Sequence, residues 1–294
     1  MRLHLVDGTF ELFRAHYGKR PGHIGPDGRD LKATVGVVAS LIALLEDAAE
    51  QCTHLAVAFD NPIESFRNEL FAGYKTGAGM DPALVAQMDE VEHAVRALGV
   101  TVWSMDRFEA DDALATGARR FGARVEQVRI MTPDKDLGQC LRGQQVVQVD
   151  RIRQKVIDEG ALRERRGIGP ASIPDWLALV GDTADGIPGL PGFGEKAATA
   201  LLGRFEHIEA IPADTAAWEG VRGATKLAAT LAERKDDVLL YRKLATLMDD
   251  VPLSEDLEDL CWRGAPRRAY AQWCDRVGIG GSLRSRPSRW DDGG

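Results

Sequence analysis

The chain has 294 residues, 44% of them hydrophobic and 28% charged, with a net charge of −8, which allows one large soluble domain or a main domain with a smaller satellite. No stretch approaches the roughly 20 apolar residues that cross a bilayer, and Met1-Arg2-Leu3-His4-Leu5-Val6-Asp7 lacks the features of a signal peptide, so a cytoplasmic protein is expected. Cys52, Cys140, Cys261 and Cys274 form no CxxC pair and read as reduced core thiols, which argues against a zinc site or a disulfide framework.

The first apolar run, Leu3–Val6, ends at Asp7. Residues 31–50 read as a helix, and a second apolar run, Leu55–Phe59, ends at Asp60. Residues 61–82 then break the pattern, mixing basic and aromatic residues with Gly and Pro in a stretch too long for a tight connection. Helical patterns return at 83–98 and 110–120, with a plausible strand at Val100–Met105. The run Val128–Met131 leads into Thr132-Pro133-Asp134, and Val146–Val149 is a further strand candidate. These runs have strand length and β-branched content. Strands alternating with helices predict an α/β fold, a parallel sheet with helices on both faces. After residue 150 the strand signal fades, and residues 161–248 read as short helices joined by Gly/Pro loops. Residues 281–294 are expected to form a flexible tail. No repeat with a period of 20–50 residues is present.

In such sheets ligands bind beyond the carboxyl ends of the strands, and three of these runs deliver an Asp there. Asp after a strand also makes turns and caps helices, so one such residue means little. Three at one edge mean more, and further acids accompany them. Residues 108–112 read Phe-Glu-Ala-Asp-Asp, placing Glu109, Asp111 and Asp112 within four positions. A helix dipole accounts for one or two acids there, and less well for three. Asp134 and Asp136 stand two apart after a strand. Asp182 and Asp185 are three apart and share a face on a helical turn. A set of carboxylates without His or Cys suits hard divalent ions such as Mg²⁺ or Mn²⁺. Two such ions can activate water and clamp a phosphate. Setting these nine acids aside takes the balance from −8 to +1, so net charge neither supports nor excludes nucleic acid.

Residues 186–202, GIPGLPGFGEKAATALL, place a Gly-rich hairpin directly before a helical run. Backbone N–H groups at such a junction form an anion site that carries no base-sequence information. Lys196 stands in the first turn, where its charge opposes the dipole and suits a phosphate. The plain alternative is an ordinary helix–turn–helix corner.

These strings together carry a resemblance. DG-x5-R at Asp7–Arg14, FR…GYK at Phe66–Lys75, EADD at Glu109–Asp112, TPDKDL at Thr132–Leu137 and GDTADGIPGLPGFGEKAA at Gly181–Ala198 resemble, in order, the 5′ nuclease family. That family includes flap endonucleases and the 5′-exonuclease domain of bacterial DNA polymerase I. The likeness runs over about residues 1–255, with YRKLATLMDDVPL similar to the closing segment. It implies a PIN-like α/β core with a central, mostly parallel sheet flanked by helices over 1–160, with a helical arch at about 61–92. It further implies a helix-hairpin-helix DNA-binding region over 161–255, followed by an extension and flexible tail over 256–294.

The resemblance also implies roles. Asp7, Asp60, Glu109 and Asp111 match acids of a first metal site. Asp112, Asp134, Asp136, Asp182 and Asp185 match acids around a second. Lys75 matches a basic residue that reaches the scissile phosphate, Tyr74 an aromatic near the 5′ strand, and Arg67 and Arg14 basic positions that steer phosphates. Gly192, Gly194 and Lys196 match the hairpin that grips duplex phosphates, and carbonyls of Ile187 and Phe193 are candidates to hold K⁺. The implied protein is a monomeric, nucleoid-associated enzyme of primer removal and DNA repair, acting on 5′ flaps, nicked or gapped duplexes and RNA-primed strands.

Three departures stand out. Where the family has an Arg three residues after the matched Lys, this chain has Ala78, which leaves Arg67 and Lys75 to carry the load. Gly186 replaces a usual Asn, and the arch is Gly-rich (Gly73, Gly77, Gly79) and is expected to order on DNA. No polymerase segment occurs in these residues, so a stand-alone enzyme is expected. Two other readings compete with this one. A branched-DNA-binding protein without catalysis draws support only from Ala78. A metal-dependent ribonuclease would lack the downstream hairpin.

Overall fold

The structure, a computed structural model, describes residues 1–292. In chain order the named elements are β1 (Arg2–Asp7), α1 (Gly8–Tyr17), α2 (Lys32–Glu46), β2 (Cys52–Asp60), α3 (Phe66–Leu70), α4 (Pro82–Val85), α5 (Met88–Ala97), β3 (Thr101–Met105), α6 (Ala110–Phe121) and β4 (Gln127–Met131). They continue with β5 (Val146–Asp150), β6 (Lys155–Ile157), α7 (Glu159–Arg166), α8 (Ile173–Val180), α9 (Glu195–Phe205), α10 (Ala224–Glu233), α11 (Lys235–Ala245), β7 (Ala265–Pro266), α12 (Arg267–Val277), α13 (Gly281–Arg284) and β8 (Trp290–Asp291). The chain forms two compact units. The first holds Met1–Ile63, Gly77–Thr132 and Asp249–Gly294, and the second Glu64–Thr76 and Pro133–Met248.

The first unit is built on parallel strands in the order β3-β2-β1-β4. The α/β expectation holds: the sheet is parallel here and helices flank it. Five of the six β1 residues are buried, as a strand covered on both faces requires. Helix α2 buries nine of its fifteen residues, which explains its nearly uninterrupted apolar sequence. The Asp7-Gly8 pair has a packing reason. A Cβ on Gly8 would stand 2.5 Å from the Phe59 ring and 2.7 Å from the Ala58 carbonyl oxygen, so only glycine lets α1 start this close to β2.

The C-terminal residues are more ordered than their polar composition predicts. Trp290 and Asp291 pair with Ala265 and Pro266, and the Trp290 ring lies 5.9 Å from that of Tyr270. Arg267 stacks on the other contact of that indole, 4.7 Å from its centroid. The flexible-tail expectation is therefore corrected through residue 292: one large aromatic anchors the strand. Residues 293 and 294 lie outside the described residues. Inside the same unit Glu90, 3% exposed, accepts from Trp273 Nε1 at 3.2 Å and from both terminal nitrogens of Arg276, fastening α12 to α5.

The second unit is helical apart from the antiparallel hairpin β5–β6. Its core gathers Trp176, Leu177, Leu179, Leu201, Val238 and Leu244 from α8, α9 and α11. Among the described residues no helix is long and apolar enough to cross a membrane. The four cysteines form no disulfide; Cys274 is buried and the other three are half-buried, so only one is a core thiol.

Candidate active site

In the first unit the sheet edge carries the expected acids. Asp7 ends β1 and caps α1: one oxygen accepts the Phe10 N–H at 2.8 Å and the other the Thr132 hydroxyl at 3.0 Å. Asp60 ends β2, takes the Thr9 hydroxyl oxygen as its backbone acceptor at 2.8 Å, and accepts the Ala110 N–H at 2.7 Å. That bond sets the N-terminus of α6 against β2, which brings Glu109 and Asp111 to the same strand end. Glu109 and Asp112 form a reciprocal capping box, with Asp112 accepting the Glu109 N–H at 3.0 Å. Asp112 is fully buried, and Asp111 is half-buried in the first turn.

In the second unit a short 3₁₀ helix at Lys135–Cys140 starts at Asp134, whose side chain accepts the Asp136 N–H at 2.9 Å. The tight turn after α8 is closed by Asp182 and Ile187, whose N–H groups each donate to the other's carbonyl at 2.8 Å. This turn presents Asp182 and Asp185 toward Asp136. Carboxylate oxygens of Asp136, Asp182 and Asp185 lie within 4.8 Å of one another. Asp136 is 5% exposed, and its Oδ1 has no hydrogen-bond partner. Burial, then the Asp134 and Asp185 charges, push its carboxyl well above the usual carboxylate range. Such a group is costly when charged and alone, and a hard divalent cation satisfies it. The donor set therefore fits a divalent metal, with Asp136, Asp182 and Asp185 its nearest ligands.

Two lysines offset this charge. Lys75 Nζ lies 3.1 Å from Asp185 Oδ1. Lys135 pairs with Asp182 and stands 4.0 Å from Asp136. Burial disfavours the Lys135 charge, but the bond to Asp182 and the surrounding acids outweigh it and raise its pKa. Sequence reasoning missed Lys135 although it stands inside the TPDKDL string. The signal was its place between two acids. Thr132, which holds Asp7, had no such signal, because a hydroxyl carries no charge pattern.

Three expected roles need correction. Arg67 is 1% exposed, and its guanidinium donates to the Leu244 and Thr246 carbonyls at 2.8 and 3.0 Å. It braces α3 against the end of α11 and does not steer phosphates. Tyr74 is 4% exposed within the hydrophobic core of the second unit, so it supports Lys75 from below and does not line a strand path. Its ring centroid is 5.7 Å from Lys75 Nζ. Arg14 is committed to Glu11 and to the Ser40 hydroxyl, which leaves it partly exposed and internally paired.

The hairpin has the expected features. Gly192 has φ +87°, and Gly194 caps α9 with no atom within 4 Å of where a Cβ would stand among the described residues. Lys196 is exposed in the first turn of α9. The Ile187 carbonyl accepts the Asp182 N–H at 2.8 Å.

Residues 2–167 match the model of the 5′-3′ exonuclease N-terminal resolvase-like domain, and residues 168–268 the 5′-3′ exonuclease C-terminal SAM fold. The chain belongs to the 5′-3′ exonuclease family. This 5′-3′ exonuclease family member is 36% identical to the DNA polymerase I of Pseudomonas aeruginosa over 268 residues, 90% of this chain and 29% of that protein. It thus spans under a third of the polymerase it matches. It is 29% identical to the 5′-3′ exonuclease of Aquifex aeolicus over 259 residues, 88% of this chain and 86% of that one. In fold it is similar to a bacteriophage T5 flap endonuclease solved with DNA and metal ions, at TM-score 0.66 and 16% identity, covering 97% of this chain and 96% of that one.

Proposed function

We propose that this family member is a Mg²⁺- or Mn²⁺-dependent 5′ nuclease that hydrolyses DNA phosphodiesters at 5′ flaps and at nicked or gapped duplexes. One observation carries the reading. Three carboxylates converge within 4.8 Å, one of them with a buried oxygen that accepts no hydrogen bond, and two lysines flank them. Within the first unit, Asp7, Asp60, Glu109 and Asp111 are a separate set of candidate ligands, while Asp112 of that unit and Asp134 of the second also cap the helices they begin. The ions, when bound, would supply an activated water and neutralise charge on the phosphate.

The chain's own residues do the rest. Lys75, held by Asp185 and above Tyr74, meets the charge of the scissile phosphate. Asn68 fixes the backbone of Lys75 by donating to its carbonyl at 2.9 Å. Gly192, Gly194 and Lys196 grip phosphates of the downstream duplex, with K⁺ at the hairpin carbonyls. The solved relative with DNA and metal ions supports this assignment by likeness of fold. Primer removal and repair, action on RNA-primed strands, a monomeric state and a cytoplasmic location complete the proposal.

The test is cleavage of a 5′-labelled flap, a nicked duplex, a single strand and an RNA-primed strand, with Mg²⁺ or Mn²⁺ and with EDTA. Metal-dependent release of short products from the first two is expected. Tight binding of the flap with no cleavage under any metal would point to a DNA-binding protein without catalysis.

A further inference from the structure

The second unit contains a cavity of about 900 Å³ lined by Lys135, Arg165, Arg166, Trp176, Asp182 and Lys196. The carboxylate cluster contributes Asp182 to its lining, and the start of α9 contributes Lys196. Arg166, in the last turn of α7, is the unusual residue. It is half-buried, with its guanidinium 5.2 Å from the centroid of the Trp176 ring. Trp176 is itself fixed, 6% exposed and donating from Nε1 to the Thr199 hydroxyl at 3.3 Å.

Other covered arginines of this chain are satisfied by the protein. Arg129 pairs with Glu50, Arg67 with two carbonyls, and Arg242 with Asp175 and Glu209. Arg166 has no ion pair or hydrogen bond among the described residues; its contact is the indole face. Burial and the neighbouring Arg165 charge disfavour its cationic form. The helix dipole accounts for basic residues at the end of α7, but it does not account for one laid on a buried tryptophan. Stacking leaves the guanidinium edge, with its paired N–H donors, free to take an anion bidentately. Glu195 and Asp182 are the acids on the cavity wall, so an anion is favoured on the arginine side and disfavoured elsewhere.

We propose that Arg166, held on Trp176 and reinforced by Arg165 and Lys196, is the seat of one backbone phosphate of the DNA, between the carboxylate cluster and the hairpin. The inference rests on the nuclease reading above and adds a contact that sets how the strand is held between the two. Phosphate geometry, not base identity, is what this seat reads.

The experiment measures equilibrium binding of a nicked duplex and a 5′ flap by fluorescence anisotropy, with Ca²⁺ in place of Mg²⁺, across a salt series. The proteins are wild type, Arg166→Gln, Arg166→Lys and Arg165→Gln. Loss of one phosphate contact should weaken binding by about tenfold for Arg166→Gln and lower the salt slope by about one. Arg166→Lys should restore the slope and only part of the affinity, since an ammonium lacks the planar fork. Arg165→Gln, at an exposed residue that lines the same cavity, tests the same seat should Arg166→Gln fold poorly, and it too should lower the slope. Unchanged affinity and slope in the folded variants, with wild type cutting the flap in Mg²⁺, would overturn the seat and leave the nuclease reading intact. Wild type that neither binds nor cuts would overturn both.

Discussion

The Lys75 ammonium lies 3.1 Å from the Asp185 carboxylate, and the Lys75 backbone N–H donates to the Asp185 carbonyl at 3.0 Å. One residue is thus tied to the turn that carries Asp182 and Asp185 by both its main chain and its side chain. With Arg67 buried and Ala78 in the position of the family's Arg, Lys75 is the remaining side-chain cation of that segment. Preorganised charge of this kind contributes on the order of 10²-fold in rate. Lys75→Ala should lower single-turnover cleavage of a flap by about that factor at saturating enzyme. A wild-type rate would make Lys75 a counter-ion for Asp185 and nothing more.

Gly186 follows this turn at φ +74°, and a Cβ there would stand 2.1 Å from the Gly73 carbonyl oxygen. The clash is with backbone, so no side chain can swing away to relieve it. Gly186→Ala should push residues 73–75 from the turn, costing about 1–3 kcal/mol of stability and part of the cleavage rate. Gly186→Asn, although it restores the family's usual residue, should do the same, because the approach of Gly73 excludes any Cβ. Thermal unfolding and flap cleavage of both variants check this. Full activity in Gly186→Asn would show that the close approach to Gly73 is dispensable.

Asp136 is a buried carboxylate facing Asp134, Asp182 and Asp185. Asp136→Asn removes one charge from that group. In EDTA the variant should be more stable than wild type, by about 1 kcal/mol, because like-charge repulsion falls. The stabilisation that Mn²⁺ gives the wild type through binding to the native state should be lost. Thermal melts with EDTA and with Mn²⁺ read both effects. An equal rise in Tm with Mn²⁺ in the two proteins would remove Asp136 from the metal ligands.

In the first unit, Glu50 accepts from His4 at 3.0 Å and from Arg129 at 2.7 and 3.1 Å. The His4 bond and the Arg129 guanidinium hold its carboxyl down at about 2. A carboxylate depressed below its unfolded value stabilises the fold above that value and ceases to as pH falls through the folded one. Glu50→Gln should cost about 1–2 kcal/mol near neutral pH, after allowing for solvent screening of a partly exposed pair. The gap between variant and wild type should narrow as pH drops from about 5 toward about 2. His4 adds acid sensitivity of the same sign: burial lowers its pKa, so the unfolded state takes up its proton first as pH falls below the usual histidine range. Urea unfolding at several pH values measures the gap; a gap that stays constant down to about pH 3 would mean that Glu50 is not depressed.

Some of this was legible in the residues alone. Apolar runs of strand length ending at Asp7, Asp60 and just before Asp134 mark strands and their edge, because burial on both faces of a parallel sheet demands continuous apolar sequence. The Gly-rich hairpin and the EADD and TPDKDL strings are local patterns too, and each lies where its pattern places it. Other properties depend on partners far along the chain. Whether Arg67 meets a phosphate or a carbonyl is decided by Leu244, 177 residues away, and nothing near Arg67 encodes that partner. Tyr74 is a core residue because α8, α9 and α11 close over it, and Asp112 is fully buried because α6 starts against β2. Lys135 and Asp182 are 47 residues apart, and only the folded turn makes them a pair. A local sequence pattern states which side chains are charged. The tertiary fold decides which of those charges the protein neutralises itself and which it leaves for a metal ion or a phosphate.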